Sequence, residues 1–154
     1  MRQNGAADIS AIRRFLLAIV VLGLSGTGLE LILLEHYEDS WQALPLFFIG
    51  LTLVVIGVHA VGGGAGTVRL LRVMMSFLLI AGAAGVVLHY QGSLEFQMEM
   101  DPTQSGWALF TKVLHAKAPP ALAPGVMAQL GLLGLLYTYR HPALSRNSTA
   151  STGA

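Results

Sequence analysis

Four stretches of this chain run for 18 to 20 residues with almost no charge, and that feature limits the possible folds more than any other. Phe15–Leu34 contains one acid, Glu30, while Leu44–Val61, Val73–Tyr90 and Pro120–Tyr139 contain no Asp, Glu, Lys or Arg. A bilayer core of about 30 Å is crossed by roughly 20 apolar residues at about 1.5 Å each. None of the four carries the sustained polar stripe that a helix on a soluble bundle turns towards water. The expected fold is therefore an all-α integral membrane protein with four transmembrane helices arranged as two hairpins. Its parts are a cytoplasmic segment 1–14, a membrane domain 15–139 and a small, polar, flexible tail 140–154.

Composition excludes several function classes. Charged residues make up 11% of the chain, against about 25% in an ordinary soluble domain. A net charge of +1 provides no basic stripe for nucleic acid, and the absence of cysteine removes disulfides, thiolate metal sites and thiol nucleophiles. Arg13 and Arg14 precede an apolar run that reaches Ser25, Gly26 and Thr27, as in a secretory leader. The run continues from Gly28 to Leu34, so it reads as a retained first span.

Basic residues orient the spans, because cationic flanks stay in the cytoplasm. Arg2, Arg13, Arg14, Arg69, Arg72, Arg140 and Arg146, seven of the nine, fall on one side, and Lys112 and Lys117 fall on the other. This places both termini in the cytoplasm and loops 35–43 and 91–119 outside a bacterial-type inner membrane. The acids sort the opposite way: Glu35, Glu38, Asp39, Glu95, Glu99 and Asp101 lie outside, Glu30 lies within a turn or two of that face, and Asp8 alone is inside. Insertion does not demand that separation, since orientation barely depends on Asp and Glu.

Spans one and three end in related words, His36-Tyr37 and His89-Tyr90, each with a serine four places after the histidine. A run of glycines from Gly62 to Gly66 links the two hairpins and reads as a flexible linker. The pattern suggests a parallel repeat, with both histidines at one depth on the outer face. His36 and His89, with Glu30, Glu35, Glu95 and Glu99 near in the topology, are the candidate ligands for a transition metal, and the two imidazoles alone for haem b. No HExxH word is present. Ser25 and His59 sit about 15 Å and about 3 Å from the cytoplasmic end of their spans, too far apart for a nucleophile and its base.

Outer loop 91–119 has a pattern of its own. Polar and apolar residues alternate from Ser93 to Asp101, which predicts a short β-like strand with Leu94, Phe96, Met98 and Met100 on one side. Trp107, Phe110, Val113 and Leu114 follow at helical spacing and predict an amphipathic helix at the interface. Pro124 is expected to kink or delay the fourth span. With no complete catalytic constellation, the expected function is that of a non-catalytic accessory subunit. Phe96, Met98, Met100, Trp107 and Phe110 would dock on a membrane-protein partner or a second copy. A metal- or haem-binding protein is the alternative.

Overall fold

The computed structural model describes residues 2–115 and 122–145. Among them the regular elements are five helices: α1 (Arg2–Leu33), α2 (Ser40–Gly62), α3 (Ala65–Met100), α4 (Gly106–Leu114) and α5 (Leu122–Thr138). Three stretches, Ala7–Leu33 of α1, α2 and α3, are long and apolar enough to cross a membrane; α5 is apolar but has 17 residues. Their outward surfaces are as apolar as their inward ones. Leu22 is 76% exposed and Val61 94% exposed, and Phe15, Phe47, Val54 and Ile80 also face outward. A helix that is hydrophobic all round needs an apolar medium. The protein is membrane-embedded.

Each long helix buries one narrow stripe. Val20, Leu24, Thr27 and Leu31 line it on α1, and Ile49, Thr52, Ile56 and His59 on α2. Leu71, Met75, Leu78 and Gly82 do so on α3, and Met127, Leu130, Gly134 and Tyr137 on α5. Steps of three and four keep such a stripe on one face of a helix. Helix α1 touches α2 and α5, and α3 touches the same two, so α1 and α3 lie across one diagonal of the bundle and α2 and α5 across the other.

The α3–α5 contact is the most extensive, and small residues make it so. A Cβ built on Gly82 would lie 2.5 Å from the Ala128 backbone nitrogen, and one on Gly131 would lie 2.6 Å from that of Leu79. Backbone meets backbone at both places. Where surrounding lipid is as apolar as leucine, close approach of this kind is a main source of helix association. Met75 packs against Gly134, and Pro124 packs over Gly85.

Several expectations change. Ser93–Asp101 is not a strand: α3 simply continues to Met100, giving a helix of 36 residues, about 54 Å long. Extending an existing helix adds a hydrogen bond with each residue, whereas a lone strand leaves its backbone unpaired. The same segment also fits a helix, since Phe96 and Met100, and Glu95 and Glu99, are each four apart. The described part of the loop, 91–115, is thus largely helical, and the amphipathic helix expected within it is α4. The repeat is not kept either: His36 lies three residues beyond the end of α1, and His89 eleven before the end of α3. Gly63 and Gly64 alone turn the chain between α2 and α3, so the glycine run is a tight turn. Pro124 sits in the first described turn of α5, where its missing N–H is not needed. Segment 1–14 is continuous with α1 from Arg2 onward. The start of the fourth expected span, at 120–121, and most of the expected tail, 146–154, lie outside the described residues.

Candidate functional site

The bundle has a polar cluster at each end. At one end α1 stops in a capping motif: the His36 N–H donates to the Leu31 carbonyl (2.9 Å) and the Glu35 N–H to the Ile32 carbonyl (3.0 Å). Glu35 occupies the left-handed region, φ 53°, a position that helix ends usually give to glycine. The bend turns His36 back over the helix end. The Asp39 carboxylate then accepts the Gln42 N–H (2.8 Å) and starts α2.

His36 meets His89 there, across the α1–α3 diagonal, with ring centroids 6.1 Å apart and planes inclined by 26°. The two rings border a cavity of about 60 Å³ whose other walls are Leu31, Pro45, Ala81, Gly85, Ala123, Pro124 and Met127. No carboxylate lines it. Glu30, Glu35, Glu95 and Glu99 are all exposed, and among the described residues no three His, Cys, Asp or Glu gather in a cation site. Helix geometry explains the loss of the α3 acids. Glu95 and Glu99 lie six and ten residues beyond His89, about 9 and about 15 Å along the axis. The histidine pair is brought together; the six-residue ligand set is not. Haem does not fit, since even a drug-sized ligand needs about 300 Å³.

Beyond His89 the extension of α3 carries α4. Leu109 and Val113 are buried, Tyr90 meets Phe110 at 6.0 Å, and Trp107 stacks on Phe110 at 5.0 Å. The Asp101 carboxylate ends α3 by accepting the Thr103 N–H (3.1 Å), the Thr103 hydroxyl (2.6 Å) and the Gln104 side-chain amide (2.6 Å). Those donors hold its carboxyl below the usual range. Phe96, Met98, Met100 and Trp107 remain exposed, and Phe110 partly so.

The other end carries a cluster that residue spacing alone does little to foreshadow. His59 of α2 reaches Tyr137 of α5 across the second diagonal, Nε2 to hydroxyl at 2.7 Å, while its Nδ1 lies 2.8 Å from Thr67 Oγ1 on α3. The Thr67 hydroxyl donates its one proton to the Gly64 carbonyl (2.9 Å). Nδ1 is therefore the donor to Thr67, and Nε2 accepts from Tyr137. His141 packs against both rings, 5.6 Å from His59 and 5.3 Å from Tyr137. Burial, then the Arg13 charge, then His59 push its pKa below the usual histidine value.

Two arginines hold the end of α5. Arg72 donates to the Thr138 carbonyl (2.9 Å), and Arg13 Nη2 to the carbonyls of Tyr139 and Arg140 (3.0 Å each). These acceptors lie at the negative end of the helix dipole, and the Thr138 carbonyl also accepts the His141 N–H at 3.3 Å. In the sequence, His59 and Tyr139-Arg140-His141-Pro142 look like ordinary membrane-boundary residues. The only hint was that His59, Tyr137 and His141 all fall at one end of their spans. Comparison with family models, curated proteins and solved structures gives no match for this chain.

Proposed function

We propose that this protein is a four-span, non-catalytic accessory subunit of a larger complex in a bacterial cytoplasmic membrane. Both termini face the cytoplasm, and the helical platform formed by residues 91–100 of α3 and by α4 docks on a membrane-protein partner outside. The observation that carries this is the surface of the platform. Phe96, Met100 and Trp107 are 58%, 69% and 75% exposed on a part of the chain that extends beyond the apolar span. An exposed aromatic and methionine surface edged by charge is characteristic of an interaction site. Glu95 and Glu99 beside Phe96 and Met100 call for a partner with an apolar centre and a basic rim. The 7:2 split of Arg and Lys supports the orientation.

The test is photo-crosslinking in native membranes from positions 96 and 107, with position 80 as a lipid-facing reference. One adduct common to 96 and 107, absent from 80 and lost in the Glu95→Lys/Glu99→Lys double variant, is the expected result. An adduct of twice the chain mass would make the partner a second copy. A monomer with no adduct, or an adduct indifferent to charge reversal, overturns the docking role.

The paired rings of His36 and His89 favour a second reading, a metal-binding protein in which two imidazoles hold a transition-metal ion. The remaining ligand positions would fall to solvent or to another chain. Stoichiometric metal in the purified protein, lost in His89→Ala, is expected; no metal by elemental analysis removes it.

A further inference from the structure

A cavity of about 610 Å³ opens at the Arg13 end of the bundle, ten times the size of the one between His36 and His89. Its walls include Arg13, Arg14 and Arg140, with His141, Ser10 and Tyr139, and none of the described residues that line it is acidic. Asp8, the nearest acid in sequence, is exposed and takes no part in the lining. Three arginines line one open cleft with no acidic side chain among its described walls; Arg14 and Arg140 are exposed to it, and the Arg140 guanidinium lies 5.5 Å from the centroid of the Tyr139 ring. Like charges so placed repel unless a counter-ion joins them.

Arg13 supplies the second, independent observation. Its Nη2 is satisfied by the carbonyls of Tyr139 and Arg140, but its Nη1 is buried with no hydrogen-bond partner. A buried, unpartnered donor on a charged group is costly, and acceptors from a ligand would remove that cost. The carbonyls fix the plane of the guanidinium, and because Nη1 is closed off from water, a ligand oxygen reaches it once a neighbouring side chain moves aside. Backbone conformation holds the opposite wall: Arg140 adopts a left-handed φ of 45°, which carries His141 back towards His59.

We infer that this cavity is a binding site for a phosphate-bearing anion, taken up by Arg13, Arg14 and Arg140. Planar guanidinium forks match the several oxygens of a phosphate group, each accepting more than one hydrogen bond. The volume exceeds that of phosphate alone and falls within the range of small-molecule sites. Ile9 and Pro142 give the remainder of the wall an apolar character suited to the body that carries the phosphate. The level is informative as well. Arg13 and Arg14 directly precede Phe15, the first residue of the apolar run, so the cavity lies at the depth of lipid headgroups. The same chemistry is offered by an anionic phospholipid and by a soluble phosphate compound.

The full-length protein in phosphatidylcholine nanodiscs separates these sources. One arm adds phosphatidylglycerol in increasing proportion and reads retained lipid by native mass spectrometry. The other titrates pyrophosphate at constant ionic strength and reads the shift in melting temperature. Saturable binding in either arm is expected, the responding arm naming the source. Arg14→Gln and Arg140→Gln should each weaken it about tenfold, the usual loss for a hydrogen bond to a charged group. Arg69→Gln, outside the cavity, should leave it unchanged. Arg13→Gln also releases the end of α5, so Arg14 and Arg140 carry the decision. No saturable binding in either arm overturns the assignment, as does binding that survives Arg14→Gln/Arg140→Gln or that falls equally in Arg69→Gln.

Discussion

Replacing Gly131 by alanine tests the packing on which the bundle depends. The added methyl group would meet the Leu79 nitrogen at 2.6 Å, the Met75 carbonyl oxygen at 2.7 Å and the Leu79 Cα at 3.0 Å. Comfortable contacts between heavy atoms lie near about 3.5–4.0 Å, so α3 and α5 must part by about 1 Å or bend. Backbone atoms cannot turn aside as a side chain would. Overpacking costs about 1–3 kcal/mol, and a rigid obstacle places this case near the upper end. Alanine recovers up to about 1 kcal/mol of helix propensity, which leaves a net loss of about 2 kcal/mol. That corresponds to roughly a thirtyfold shift in the folding equilibrium. Gly26→Ala is the matched control: nothing stands within 4 Å of its Cβ, so it should be neutral or up to about 1 kcal/mol more stable. Gly23→Ala meets only the side chain of Leu130 and should fall between them. Equilibrium unfolding in mixed micelles of mild detergent and dodecyl sulfate measures all three. If Gly131→Ala unfolds no earlier than Gly26→Ala, the close α3–α5 approach is refuted.

Two further perturbations address the ends of the bundle. Glu35→Gly should stabilise the protein by about 0.5–1 kcal/mol, because left-handed backbone costs a non-glycine residue about 1–2 kcal/mol and glycine returns part of that through unfolded-chain entropy. Glu35→Ala keeps the strain, so equal melting temperatures for the two variants would disprove the capping geometry at His36. His141 predicts a pH effect. Half-buried beside Arg13 of α1, His59 of α2 and Tyr137 of α5, it has a folded pKa below its unfolded value near 6.5. The stability that comes from keeping it neutral is complete above about pH 6.5 and is lost as pH falls through the lower folded value. Melting temperature should therefore drop on acidification below that point, and less steeply in His141→Gln; parallel curves would contradict the burial.

The membrane-embedded class was already written in the sequence, because long uncharged runs leave a chain no stable way to sit in water. That His36 and His89 share one level was legible from their like-directed spans, but the premise that both spans end in the same word was not kept, because α1 stops three residues before His36 and α3 runs eleven residues past His89. The segment from Ser93 to Met100 was not legible. Its alternation satisfies a strand, its four-residue spacings satisfy a helix, and only attachment to an existing helix decided between them. That decision carried Glu95 and Glu99 away from the histidines, leaving a pair in place of a ligand cluster. Tertiary structure alone assembled the opposite end, where Arg13, His59, Thr67, Tyr137 and His141 come from four helices and a terminal turn. Spacing along one chain reports which residues share a face of one helix, but which faces meet is set by small residues such as Gly82 and Gly131, where the backbones close together.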